Sequence, residues 1–107
     1  MPTVKTYNKL VRDNIPAIIE AKGAVCETEI LSDSDYLCLL DAKLDEELAE
    51  YHQDQNLEEL ADLMEVIYAC AKARGYTVAE LESVRAEKAG KRGGFDRKIL
   101  LKTVTED

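Results

Sequence analysis

Apolar residues recur at helical spacing through the middle of the chain and lose that spacing towards both ends. Between residues 35 and 53, Leu37, Leu40, Leu44, Leu48 and Tyr51 follow at steps of 3, 4, 4 and 3, the pattern of a helix with one buried stripe. Ser32 or Ser34 is placed to cap it. Residues 53–56, Gln-Asp-Gln-Asn, form a short polar connection, so the next helix returns antiparallel to the first. That second helix, over residues 57–74, is capped by Asn56 and closed by Gly75. Its apolar set is wide: Leu57, Leu60, Leu63, Met64, Val66, Ile67, Cys70 and Ala71 leave only Glu58, Glu65 and Lys72 as a continuous polar wedge. A helix this apolar is enclosed on several sides, and a short chain has few elements to enclose it, so a second subunit is expected to supply cover.

The flanks are shorter elements. Asp13 or Asn14 can cap a short helix with Pro16 in its first turn, Ile15, Ile18 and Ile19 on one face and Gly23 to end it. Residues 24–31 alternate Cys26, Thr28 and Ile30 with Glu27 and Glu29, which predicts a strand. Thr77 with Glu80 makes a capping box for a third long helix over 78–90, with Val78, Leu81, Val84 and Ala89 facing inward. Residues 98–104 read as extended and could pair with 24–31 as a small β-ribbon. The expected fold is mainly α: an antiparallel helical hairpin with a third helix, a short N-terminal helix and that ribbon, forming one domain over 1–107 within an oligomeric helical bundle.

Charge adds the chemistry. Glu-Glu-Leu-Ala-Glu at 46–50 returns as Glu-Glu-Leu-Ala-Asp at 58–62, and each copy sets carboxylates three apart, Glu47 with Glu50 and Glu59 with Asp62. On a wheel of about 100° per residue, Glu46 and Glu58 point away from the apolar stripes, whereas the other four border surface that a bare carboxylate avoids. Three of them have a plain structural explanation: Glu59 suits a capping box with Asn56, and Glu47 with Glu50 could be a solvated face. Asp62, a full turn into its helix, has no such role. Two pairs on adjoining helices form a shared cation site, and an all-carboxylate set without paired His or Cys favours Mg2+, with Mn2+ as the alternative, over zinc. His52, the single histidine, reads as an exposed side chain near a helix end.

Composition bounds the rest. The 107 residues carry 22 Asp plus Glu against 14 Lys plus Arg, a formal net charge of -8, which argues against nucleic-acid binding through a basic surface. A metal could still bring a polyphosphate to such a protein. Three widely spaced cysteines fit neither a disulfide framework nor a zinc knuckle, and no apolar run approaches membrane-spanning length, so a cytoplasmic protein without membrane partners is expected. The basic residues around Gly93 and Gly94 lack the Walker spacing. Beside a metal site, Lys91 and Arg92 could hold phosphate oxygens, and Lys9 and Arg12 could act in the same way.

Taken together, Glu-x-x-Glu at 47–50, Glu-x-x-Asp at 59–62, Lys91-Arg92-Gly93-Gly94-Phe95 and the opening Tyr7-Asn8-Lys9-Leu10-Val11-Arg12-Asp13-Asn14-Ile15-Pro16 resemble the all-α nucleoside triphosphate pyrophosphohydrolase superfamily. The opening segment is similar to a small MazG-like branch described as phosphoribosyl-ATP pyrophosphohydrolase-like. The resemblance implies a dimer or tetramer that splits a nucleotide between its α- and β-phosphates. It also implies metal ligands at Glu47, Glu50, Glu59 and Asp62, catalytic proton transfer at Glu47 or Glu50, and phosphate contacts at Lys91 and Arg92. The chain departs from many MazG domains in placing only eight residues between Glu50 and Glu59. Hydrolysis of phosphoribosyl-ATP, or a noncatalytic helical module that binds metal or nucleotide, are the alternative expectations.

Overall fold

In the computed structural model, which describes residues 3–106, the chain forms four helices: α1 Ile15–Ala21, α2 Asp33–Asp54, α3 Leu57–Ala73 and α4 Val78–Arg92. Each of the three long helices begins at a residue whose side chain takes up an otherwise unpaired backbone N–H. Ser32 accepts from the Asp35 N–H, Asn56 from the Glu59 N–H and Thr77 from the Glu80 N–H, the last completed as a capping box by the Glu80 side chain. Pro16 sits in the first turn of α1, where a missing N–H costs nothing, although Asn14 makes no side-chain cap there.

Only Gln55 and Asn56 separate α2 from α3, and Gln55 makes the turn in a left-handed conformation at φ 51°. The helices pack along their length, and Arg74, just past the end of α3, lies 3.9 Å from Asp41 near the start of α2, so the pair is an antiparallel hairpin. α4 adds a lighter contact to α3, while α1 packs against no other helix among the described residues. Gly75 at φ 89° lets the chain leave α3. Gly93, at φ 81°, does the same for α4, two residues later than expected, so Lys91 and Arg92 belong to the last turn of that helix and not to a glycine turn.

The expected ribbon does not form: among the described residues neither 24–31 nor 98–104 is strand. The physical reason lies in burial. Val25 and Ile30 are almost fully exposed, and Phe95, Ile99, Leu100, Leu101 and Val104 are exposed as well, so neither segment has a surface to rest on. A two-stranded ribbon without such cover is marginal in water.

The core is small. Leu40 on α2 and Val66 on α3 are the buried hydrophobic side chains of the described residues, while Leu48, Leu57, Leu60 and Met64 remain exposed on the hairpin. The radius of gyration is 19.1 Å, against about 13 Å for a compact chain of this length.

Candidate metal centre

The hairpin interface changes character along its length. Leu40 seals it at one level, and seven residues on, two turns along the same face, comes Glu47. α3 repeats the arrangement in reverse, with Glu59 seven residues before Val66 and Asp62 four before it. Near the connecting turn, the stripes that are aliphatic elsewhere therefore present carboxylates to one another.

Glu47 is 7% exposed, the one buried charged residue among those described. Its Oε2 and the Oε2 of half-buried Glu59 are both sealed from solvent and have no hydrogen-bond partner. One carboxylate oxygen from each of Glu47, Glu59 and Asp62 lies within 4.8 Å of the others, bringing both helices to a common point. A second triad on α2 joins Glu46, Glu47 and Glu50 at the same spacing, so Glu47 belongs to both. Buried carboxylate oxygens without donors are costly, and a set of ligands made only of carboxylate oxygens matches the hard cations. The arrangement fits a divalent ion on the donor chemistry and on the two orphaned oxygens.

The electrostatics agree with that fit. Burial pushes Glu47 above its ordinary carboxylate range, and Glu50 beside it pushes the same way through shared hydrogen bonding and repulsion, with Lys43 pulling against both. Glu59 is also raised, first by burial, then by repulsion from Asp54 and Asp62, with the neighbouring Glu50 carboxyl opposing and Glu47 adding further repulsion. Lys43 offsets only part of the burial and repulsion at Glu47, and no cation offsets them at Glu59.

Three cations border the cluster. Lys43, one turn before Glu47 and largely buried, lies 3.5 Å from Glu47 Oε1 and 3.2 Å from Glu46 Oε1. It thus holds one oxygen of Glu47 and leaves the other turned inward. Lys9 reaches Glu46 Oε1 at 3.5 Å, and the Arg12 guanidinium donates to Asp62 Oδ1 at 2.6 Å.

All four carboxylates singled out in the sequence, Glu47, Glu50, Glu59 and Asp62, enter one or both triads. Glu46, expected to face solvent, is instead half-buried within the cluster, because its side chain reaches back to Lys43 and Lys9. Lys43 escaped the sequence reading altogether, although its i,i+3 and i,i+4 spacing to Glu46 and Glu47 was the available signal. Lys9 and Arg12 do reach the acidic cluster. Lys91 pairs with Glu87 at 3.0 Å, and no ion pair among the described residues links Lys91 or Arg92 to the cluster. Those two residues instead line a shallow groove on α4 with Val84, Glu87 and Lys88.

No family model matches the chain, and no solved structure matches it. Over 42 residues it is 55% identical to an uncharacterized protein of Mycolicibacterium smegmatis, a stretch that makes up 39% of this chain and 43% of that protein. The chain therefore spans less than half the length of that relative. No helix is long and apolar enough to cross a membrane among the described residues.

Proposed function

We propose that the chain is a magnesium-dependent nucleotide pyrophosphohydrolase that cleaves a nucleoside triphosphate between its α- and β-phosphates. The observation that carries this reading is the pair of solvent-sealed, unpartnered oxygens, Glu47 Oε2 and Glu59 Oε2, brought together from two helices. Glu47, Glu59 and Asp62 would hold the cation across the hairpin, with Glu50 available from the triad it shares with Glu47 on α2. When bound, Mg2+ (or Mn2+) supplies phosphate charge neutralisation and a lowered pKa for the attacking water.

The chain's own residues carry the remaining roles. Lys43 fixes the Glu47 carboxylate by one oxygen, an orienting contact from a second layer of residues. Glu50, which stands beside both Glu47 and Glu59, takes the proton of the water that adds to the α-phosphorus, while the bond to the β-phosphate oxygen breaks. Lys9 and Arg12, both exposed and each touching a carboxylate of the cluster, hold the departing pyrophosphate. Lys91 and Arg92 do so only if assembly brings an α4 to the site, and we propose a homodimer or homotetramer, supported by the exposed apolar surface of α1, α3 and the C-terminal segment.

Release of monophosphate and pyrophosphate with MgCl2 tests the reading. Wild type should turn over, and Glu59→Gln and Asp62→Asn should each lose at least about 100-fold, the scale of a ligand defect; undiminished activity in both refutes the assignment. The pairing of Lys91 with Glu87 on its own helix, and not with the cluster, favours a second reading, a noncatalytic metal- or nucleotide-binding module. Stabilisation by magnesium and nucleotide without turnover would select it.

A further inference from the structure

The N-terminal segment crosses the hairpin near its connecting turn, and it does so with two cations. Lys9 contacts Glu46 on α2 at 3.5 Å, and three residues later Arg12 contacts Asp62 on α3 at 2.6 Å, so the segment ties one helix to the other. The ring of Tyr7 lies under the ammonium groups of Lys5 and Lys9, at 5.2 and 5.7 Å, which organises the approach. Within the interhelical triad Asp62 is paired with Arg12 and Glu47 is paired with Lys43 through Oε1, whereas the sealed Oε2 atoms of Glu47 and Glu59 have no partner.

We propose that Arg12 is a built-in counter-ion for the metal centre: it pairs with Asp62 and gives that carboxylate up when a divalent cation binds. The exchange leaves the guanidinium free beside the cluster for the phosphates of the substrate. This inference rests on the metal-site reading above and adds the order of events within it.

The exposures decide that the contact can yield. Arg12 is 56% and Asp62 41% exposed at the side chain, and ion pairs open to water to this degree hold weakly. A divalent ion held by several carboxylates outcompetes one such pair. Lys43 differs, being only 15% exposed and fixed to its own helix, and it stays on Glu47 throughout. A released Arg12 offers the forked geometry that matches two phosphate oxygens at once.

The test follows Arg12 itself. Wild-type protein is labelled with phenylglyoxal, with and without MgCl2, and the labelling rate at Arg12 is read by peptide mass, with metal binding followed separately by calorimetry using MnCl2. Saturating metal should raise Arg12 labelling severalfold and leave Arg85 unchanged, since Arg85 pairs with Glu82 on the outer face of α4. Arg12→Gln should bind Mn2+ about two- to fivefold more tightly, the range an exposed pair can withhold. Lys9→Gln, which removes the same charge but leaves Asp62 paired, should gain less. Metal binding with unchanged or slower Arg12 labelling, or equal gains in the two variants, overturns the exchange and leaves the metal site standing. No binding heat in wild type overturns the metal site and the exchange together.

Discussion

At the scale of single residues, Glu47 concentrates the physics of the site. It occupies a core position two turns from Leu40, is held at one oxygen by Lys43 and left unpartnered at the other. Its pKa and that of Glu59 are raised from the ordinary 4.5. A carboxyl whose pKa is higher in the folded than in the unfolded chain favours folding while protonated, and that contribution drains away as pH rises through its folded value. Without divalent metal, melting temperature should therefore fall as pH climbs from about 4.5 towards neutrality, and saturating MgCl2 should flatten the fall. Glu47→Gln removes the buried charge but keeps the shape. It should raise the metal-free melting temperature at pH 7 by a few degrees, the scale of about 1 kcal/mol in a small domain, and abolish the response to magnesium. A scanning-fluorimetry series across pH reads both. Glu47, Glu50, Glu59 and Asp62 were legible from sequence because helical phase alone puts them beside the stripes. Glu46 and Lys43 were not, because a wheel records where a side chain starts and not how far it reaches.

At the scale of elements, the hairpin was legible because its signals are local. Caps at Ser32, Asn56 and Thr77, a polar connection and a 3–4 apolar spacing each act within a turn or two. The ribbon over 24–31 and 98–104 failed because strand pairing depends on a distant partner and a covered face, neither of which an alternating pattern encodes. The basic run at 91–92 was misplaced because α4 continues until Gly93 turns it, and Lys91 has a partner on its own helix in Glu87. Asn56 links element to site, since its Oδ1 holds the backbone N–H of Glu59 at 2.9 Å. Asn56→Ala should lower unfolding stability by about 1 kcal/mol in urea and weaken magnesium binding as the first turn of α3 frays. A loss of stability with full metal affinity would separate the cap from the site.

At the scale of the whole molecule, the surface is too large for the mass. The chain exposes 9840 Å², whereas a compact monomer of 12.0 kDa would expose about 6,000 Å². Apolar side chains such as Ile18, Leu60, Leu100 and Leu101 are part of that exposed surface, and burying them between copies would contribute roughly 25 cal/mol per Å² of apolar area. Sedimentation at micromolar concentration should give a dimer or tetramer; a stable monomer would remove the proposed assembly without touching the hairpin's carboxylates. The claim on which the functional reading turns is that those carboxylates form one metal centre across α2 and α3. Titration of Mn2+ followed by the free-ion electron paramagnetic resonance signal tests it most directly. Wild type should take up the ion in proportion to chain concentration, and Glu47→Gln and Glu59→Gln, one from each helix, should both lose that uptake. Uptake by both variants equal to wild type would contradict it.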